Sequence, residues 1–123
     1  MTELPKPLQG EIWGVAFPGD PPGKNPRPVL IVSTKIRNTH PKASTVLVVP
    51  FTMTASDVPT HIRLSVGQTG LPEISELCPE DITIVKKEYL RPWAGTKSQP
   101  ESVIRAIARG VVFALGVQPK DIQ

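Results

Sequence analysis

Prolines interrupt this chain at short intervals, and they limit the length of any helix or strand that it can form. The sequence holds 15 prolines in 123 residues, spread along the chain rather than gathered in one tract. Proline has a fixed φ angle and no backbone N–H, so it is poorly tolerated inside helices and central strands. Short runs rich in apolar and β-branched residues stand between the prolines and other turn formers. This pattern predicts a mainly β fold, a small barrel of short strands.

Six runs have the composition of strands. They cover residues 10–17, 29–33, 45–51, 61–66, 74–78 and 82–85. The first run is expected to present Trp13, Val15 and Phe17 on one face. The second is apolar almost throughout, which is typical of a strand covered on both faces. The fourth alternates strictly, so Ile62, Leu64 and Val66 are expected to face inward.

The C-terminal part of the chain changes from the strand period to the helix period. The apolar residues that share one helical face are Ile104, Ile107, Ala108, Val111 and Leu115. Ser98 and Glu101 have the spacing of a capping box, and Gly116 and Pro119 are stop signals. Gly110, inside the helix, suggests close backbone packing. We therefore expect one long C-terminal helix on the barrel, within a single domain of residues 1–123 whose core covers about 10–116.

An arginine stands between two prolines at the entrance to the second strand, in the segment Asn25-Pro26-Arg27-Pro28. Pro28 favours an extended backbone at Arg27, and both prolines restrict the chain around it. A guanidinium is always charged and has a planar donor fork that suits phosphate or carboxylate. Arg27 is therefore a candidate anion-binding residue. The alternative is a proline-stiffened surface loop with a solvated arginine.

The net charge is only +3, but its distribution is uneven. No acidic residue occurs between Asp20 and Asp57. The basic residues of that stretch are Lys24, Arg27, Lys35, Arg37 and Lys42. Such a stretch is expected to face a polyanion, although a chance gap in a mildly basic protein would look the same.

Several classes of protein find no support in the sequence. Cys78 is the single cysteine, which excludes an internal disulfide and a cysteine-based zinc site. His40 and His61 lack the spacing of metal ligands, so we expect neither a metal nor another cofactor. No apolar run reaches membrane-spanning length, and the N-terminus lacks the pattern of a secretory signal. We therefore expect a cytoplasmic protein that does not bind membranes.

Three segments, in order, resemble the MazF/PemK family of toxins from bacterial type II toxin–antitoxin systems. They are Gly10-Glu11-Ile12-Trp13, Arg27-Pro28-Val29-Leu30-Ile31-Val32-Ser33 and Val48-Val49-Pro50-Phe51-Thr52. The closing amphipathic helix fits the same family. The resemblance implies an SH3-like barrel with a C-terminal helix, usually as a homodimer.

The resemblance also implies an activity, the metal-independent and sequence-specific cleavage of single-stranded RNA. In that reaction the 2′-hydroxyl attacks its own phosphodiester and leaves a cyclic phosphate and a 5′-hydroxyl. The family's functional arginine matches Arg27, and its threonine matches Thr52. Arg27 would first stabilise charge on the phosphate oxygens and second donate a proton, because arginine is a poor base. Thr52, in a hydroxyl-rich loop with Thr54, would bind the phosphate or hold the attacking hydroxyl. A threonine here also fits a turn hydroxyl that bonds its own backbone.

The sequence departs from the family pattern before the sixth strand. Members often carry an Asp-Gln-hydrophobic-Arg type of segment there, whereas this chain has Glu80-Asp81-Ile82-Thr83. Glu80 or Asp81 could supply the acid, depending on the alignment, and Thr83 stands where arginine is common. With Lys24 and Thr54, these three residues complete the set expected to bind substrate. Glu80 and Asp81 would equally fit a solvated turn.

The expected partners are single-stranded RNA, a second copy of the chain, and a cognate antitoxin. The antitoxin's disordered, partly acidic tail would pair with Lys24, Arg27 and Lys35. The departure at Thr83 leaves an alternative open, a weakened or non-catalytic binding module of the same superfamily. Trp93, after Arg91-Pro92, is a further candidate contact for RNA or a partner.

Overall fold

A computed structural model describes residues 3–54, 56 and 58–117. Within this part of the chain there are seven strands, three α-helices and two single-turn 3₁₀ helices. The strands are β1 (Ile12–Val15), β2 (Arg27–Ile31), β3 (Thr45–Thr52), β4 (Ile62–Leu64), β5 (Ser75–Leu77), β6 (Thr83–Lys86) and β7 (Leu90–Pro92). The α-helices are α1 (Lys35–Thr39), α2 (Val66–Thr69) and α3 (Glu101–Leu115), and the 3₁₀ turns are Pro79–Asp81 and Lys87–Tyr89.

The seven strands form one antiparallel sheet, in which six follow the order β4-β5-β3-β2-β1-β7 and β6 pairs with β3. β3 is the longest strand, and its two halves have different partners on one side. Its first half pairs with β6, from Thr45 opposite Lys86 to Val48 opposite Thr83. Its second half pairs with β5, where Thr52 lies opposite Glu76. This sheet and its C-terminal helix confirm the prediction of a mainly β fold closed by a long helix.

Apolar residues of both sheet faces are buried, as the continuous apolar run of β2 requires. On one face Leu30 and Val49 pack with Leu77 and with Ile107 of α3. On the other face Val29 and Ile31 pack with Val15, Val48 and Leu90. Val29, Leu30 and Ile31 are each no more than 5% exposed. The prediction that this strand is covered on both faces is confirmed.

α3 packs on the sheet through part of its predicted apolar face. Ile107 is buried, and Ile104 and Val111 pack against the same core, but Ala108 and Leu115 are exposed. Gly110 lies against Pro79, since a Cβ built on Gly110 would come within 2.9 Å of the Pro79 Cβ. The helix ends at Gly116, whose φ of 77° is the left-handed conformation that favours glycine. Pro119, the second predicted stop signal, lies outside the described residues.

Three local predictions were wrong. The predicted capping box at Ser98 does not form, because the N-cap is Pro100, which has no side-chain donor or acceptor. Val66 does not face inward, because the strand ends at Leu64 and Val66 begins α2. Phe17 lies past the end of β1, where it is 39% exposed and packs edge-on against Tyr89.

Candidate functional site

The strand registers place a row of polar residues across one end of the sheet. β2 and β3 pair from Ile31 opposite Val48 to Val29 opposite Pro50. If this register is extended by two residues on each strand, Arg27 of β2 lies opposite Thr52 of β3. Because directly paired residues share a sheet face, their side chains belong to the same side of the sheet. Two distant parts of the sequence therefore meet at one end of the sheet.

Arg27 is held at the surface by two contacts from the β1–β2 loop. Its Nη2 donates to the Asp20 Oδ1 at 3.1 Å. Its guanidinium carbon lies 5.3 Å from the centre of the Phe17 ring. Asp20 in turn accepts a hydrogen bond from the Phe17 backbone N–H at 3.0 Å. The loop thus fixes the direction of a side chain that remains 51% exposed.

Thr52 is the last residue of β3, and its hydroxyl oxygen accepts a hydrogen bond from the Thr54 backbone N–H at 3.2 Å. This contact is the local turn bond considered as the alternative role of this residue. It uses an acceptor site, and a threonine hydroxyl also has one proton to donate. Thr52 can therefore keep its turn and still donate to an oxygen of a ligand.

The row continues from Thr52 to Glu76 on β5 and to Arg63 on β4, each opposite the last. Glu76 is buried, and its Oε1 accepts from Arg63 Nη2 at 3.0 Å. Its Oε2 lies 3.1 Å from the Nδ1 of His61 and accepts from the Ser56 hydroxyl at 3.1 Å. The other nitrogen of His61, Nε2, lies 2.7 Å from the Glu80 Oε1. We call the set Ser56, Thr60, His61, Arg63, Glu76 and Glu80 the carboxylate network.

The contacts within this network shift three pKa values. The hydrogen bond from Arg63, with further ones from His61 and Ser56, outweighs burial and lowers the pKa of Glu76 to about 2. Burial alone would lower the pKa of His61, but its contacts with Glu76 and Glu80 raise it above 6.5. The hydrogen bond from Thr60, helped by His61, lowers the pKa of Glu80. Glu76 is therefore ionised at any physiological pH.

The remaining residues predicted to bind substrate lie at different distances from this row. Lys24 is in the β1–β2 loop, with its Nζ 3.7 Å from the Asp20 Oδ1. Thr54 is exposed and bonded to Thr52. Glu80 joins the row through His61. Asp81 is exposed at the end of the 3₁₀ turn, and Thr83 lies opposite Val48, four residues from Thr52, or about 14 Å along the strand.

The acid-free stretch does not form one basic surface. Lys24 and Arg27 lie before and at the start of β2, whereas Lys35 and Arg37 belong to α1, beyond its other end. Arg37 also donates to the Thr45 carbonyl oxygen at 3.1 Å. The whole length of β2 separates Lys35 from Arg27, and the expectation that both bind one acidic segment stays a prediction.

A cleft of about 530 Å³ lies beside the row. Its walls include Pro26, Pro28, Met53 and Trp93. Pro28 alternates with Arg27 along β2 and therefore belongs to the opposite sheet face. Trp93 is half-buried and packs against the core. It thus lines a cleft next to the candidate site rather than standing free in solvent.

Sequence reasoning named Arg27 and Thr52 as candidates but did not group Glu76, Arg63 and His61 into one cluster. Each of the three looks like an ordinary outward position of an alternating strand. Their association depends on the β3–β5 and β4–β5 registers, which join residues distant in sequence. A local signal was present only at Glu76, which is an acidic residue inside an otherwise uncharged strand. That signal does not identify which residue contacts Glu76.

The fold is similar to solved structures of bacterial toxins. An endoribonuclease from a mycobacterial species is 23% identical, with a TM-score of 0.70 over 93% of this chain and 95% of the other. A mycobacterial endoribonuclease in complex with its cognate antitoxin is 22% identical, with a TM-score of 0.64 over 92% and 96%. MazF from Deinococcus radiodurans is 15% identical, with a TM-score of 0.68 over 94% and 100%. At these identities the likeness establishes the fold.

No curated protein matches the chain. None of the helices in the described residues has the length and apolarity needed to cross a membrane. The sequence model of one family, the PemK-like, MazF-like toxins of type II toxin–antitoxin systems, matches residues 8–115. This match covers all seven strands and all of α3, and the chain therefore belongs to the PemK-like, MazF-like toxin family.

Proposed function

We propose that this toxin is a sequence-specific endoribonuclease that cleaves single-stranded RNA without a metal ion, with Arg27 and Thr52 as its catalytic residues. Two of the similar structures carry the name endoribonuclease, which supports this class of reaction. The observation that carries the proposal is the meeting of Arg27 and Thr52 at one end of the sheet, with Arg27 held at the surface by Asp20 and Phe17.

In the proposed reaction the 2′-oxygen of a ribose attacks the neighbouring phosphorus. A bond from phosphorus to the 2′-oxygen forms, and the bond to the 5′-oxygen of the next nucleotide breaks. The proton lost by the 2′-hydroxyl is balanced by one gained at the 5′-oxygen. The products are a 2′,3′-cyclic phosphate and a 5′-hydroxyl.

Arg27 and Thr52 act on the phosphate rather than on the transferred proton. Negative charge grows on the nonbridging oxygens in the transition state, and a pre-oriented guanidinium stabilises it. Arg27 gives one of its five N–H donors to Asp20, and the rest of the fork serves the phosphate. Thr52 donates its hydroxyl proton to a phosphate or ribose oxygen. Lys24 and Thr54, beside these two residues, contact the neighbouring backbone.

Cleavage of a long unstructured RNA in EDTA tests the proposal. We expect the parent protein to cut at defined sequences and Arg27→Ala to lower the rate about 10²-fold or more. Arg27→Lys should restore little, since lysine keeps the charge but not the fork. The melting temperature should hardly change, because the side chain is half exposed. A parent protein that cuts no RNA would favour the non-catalytic alternative, and Arg27→Ala with the parent rate would remove Arg27 from the site.

The proposed partners are a cognate antitoxin and a second copy of the chain, in the cytoplasm. The name of one similar structure includes its antitoxin, which supports the first. An acidic antitoxin segment would pair with Lys24 and Arg27, and its affinity would then fall as salt rises. Binding that does not change between low and high ionic strength would indicate an apolar interface instead.

A further inference from the structure

The polar row does not end at Thr52. It passes through Glu76 to Arg63, which lies directly opposite Glu76. The sheet thus presents an arginine on each side of Thr52 and Glu76, on strands β2 and β4. Neighbouring strands are about 4.8 Å apart, so the backbones of the two arginines are roughly 14 Å apart across the sheet.

Arg63 is the exposed cation of the carboxylate network. Its side chain is 59% exposed, whereas the side chains of Glu80, His61 and Glu76 are 30%, 12% and 5% exposed. A ligand that approaches from solvent therefore meets the Arg63 guanidinium before it meets the other charges of the network. The contact with Glu76 uses Nη2, one of the two terminal nitrogens of the fork.

Glu76 anchors Arg63 without being available to a ligand itself. Its carboxylate is buried and accepts from the backbone N–H and the hydroxyl of Ser56 as well as from Arg63. A fixed carboxylate behind an arginine limits the rotamers that the long side chain can adopt. Less entropy is then lost when the guanidinium binds an anion.

We propose that Arg63 is a second phosphate-binding residue of the same RNA site and holds a backbone phosphate other than the one that is cut. This inference rests on the proposed endoribonuclease function. Arg27 is anchored toward the β1–β2 loop by Asp20, and Arg63 is anchored to β5 by Glu76. The two anchors lie on opposite sides of Thr52, so the two guanidinium groups serve different phosphates of one extended strand.

The test compares Arg63→Gln with Arg105→Gln in binding and cleavage of RNA. Arg105 is the matched control, because it is also an exposed arginine anchored to a glutamate, Glu101, but on α3. The binding probe is an oligonucleotide with a cut site of the parent protein, 2′-O-methylated there so that it cannot be cleaved. It is shortened by one nucleotide at a time from each end.

We expect Arg63→Gln to weaken binding of the full-length probe about tenfold, as loss of a charged hydrogen bond predicts. The slope of log K against log salt should fall by about 0.7, the value for one phosphate contact on a single strand. The difference in affinity between Arg63→Gln and the parent should vanish once shortening from one end removes the phosphate that Arg63 holds. Arg63→Lys should keep the salt slope of the parent. This variant replaces Arg63→Gln in the test if Arg63→Gln has a much lower melting temperature than the parent. Arg105→Gln should behave as the parent.

Two results would overturn the assignment of Arg63 while leaving the proposed function intact. The first result is that the Arg63→Gln protein binds the probe as tightly as the parent protein does, at every probe length. The second result is that Arg63→Gln weakens binding by the same factor at every probe length and leaves the salt slope unchanged. That result would mean that Arg63 only supports the fold of the network. Failure of the parent protein to cut any RNA would instead remove the proposed function, and this subsite with it.

Discussion

At the scale of single residues, two substitutions test the proposed catalytic role of the Thr52 hydroxyl. Thr52→Val keeps the shape of the side chain and removes both the turn bond to Thr54 and the hydroxyl donor. We expect about a tenfold fall in RNA cleavage, smaller than the fall for Arg27→Ala, because one neutral hydrogen bond is lost rather than a charge. Thr52→Ser should cleave at close to the parent rate.

Thr39 supplies the matched control for Thr52. Its hydroxyl also bonds a nearby backbone group, the Lys35 carbonyl oxygen at 2.8 Å, but on α1. Thr39→Val should therefore change the melting temperature as little as Thr52→Val does and leave cleavage unchanged. If the two valine variants cleave equally well, Thr52 has only its turn role.

At the residue level the sequence yields candidates only where the signal is local or comes from the family resemblance. Arg27 is a candidate because two adjacent prolines restrict its own backbone, and Thr52 because it matches the threonine of the family that the chain resembles; both assignments stay predictions. Glu76 and Arg63 could not be assigned, since each has its partner 13 residues away on another strand. Their roles follow from register, and register depends on the whole sheet.

At the scale of elements, the carboxylate network connects the β3–β4 loop to β5 and to the 3₁₀ turn Pro79–Asp81. It should therefore make the stability of the fold fall both at high pH and at low pH. The pKa of His61 is raised above 6.5, so its contribution is complete below pH 6.5 and is lost as the pH rises through the raised value. The pKa of Glu76 is lowered from 4.5 to about 2, so its contribution is complete above pH 4.5 and is lost toward pH 2. The network should stabilise the fold most between pH 4.5 and 6.5.

Melting temperature measured against pH for the parent and for His61→Gln checks this prediction. The charged groups around His61 are Glu76, Glu80 and, on the adjoining cleft, Arg109 of α3. Glu76 and Glu80 favour the protonated ring and outweigh the effect of burial on its pKa. The advantage of the parent over His61→Gln should shrink as the pH rises above 6.5. An advantage that stays constant to pH 9 would show that His61 contributes as a neutral ring.

The contact between α3 and the 3₁₀ turn gives a second prediction for an element. Gly110→Ala should improve helix propensity by up to about 1 kcal/mol but force a methyl group against the rigid Pro79 ring, at 2.9 Å. Overpacking of this kind costs about 1–3 kcal/mol, so we expect net destabilisation in urea unfolding. Gly67→Ala on α2, where the nearest atom is the Ser65 Oγ at 3.8 Å, should be neutral or slightly stabilising. A stabilised Gly110→Ala protein would mean that the turn can move away.

Elements with a clear apolar pattern were predicted, including the short strands β4, β5 and β6, whereas β7, α1 and α2 were not. β3 and α3 were predicted close to their observed bounds because their patterns extend over many residues. β7 and the one-turn helices α1 and α2 carry too few residues for a period. α2 does have a capping box, between Ser65 and Gln68, but alternation in the preceding strand concealed it.

At the scale of the whole molecule, we expect a second copy of the chain to bind at exposed apolar surface on α3. Phe113 of α3 is 69% exposed, and it lines a cleft of about 340 Å³ with residues 59–62 and with Arg109 and Gly110. An aromatic side chain beside a cleft of its own chain suits a twofold interface, in which each copy fills the cleft of the other. Burial of a phenylalanine contributes roughly 1.5–3 kcal/mol.

We therefore expect a homodimer in solution, with twice the 13.4 kDa mass of the chain, and expect Phe113→Glu to convert it to a monomer. Light scattering on an eluting column peak at micromolar concentration measures both. Ile36→Glu is the control, because Ile36 of α1 is even more exposed, at 82%, and should tolerate the charge without change of mass. A dimer that survives Phe113→Glu but dissociates on Ile36→Glu would move the interface to α1. A parent protein that elutes as a monomer would contradict the expected assembly, and the row from Arg27 to Arg63 would then have to bind RNA within a single copy.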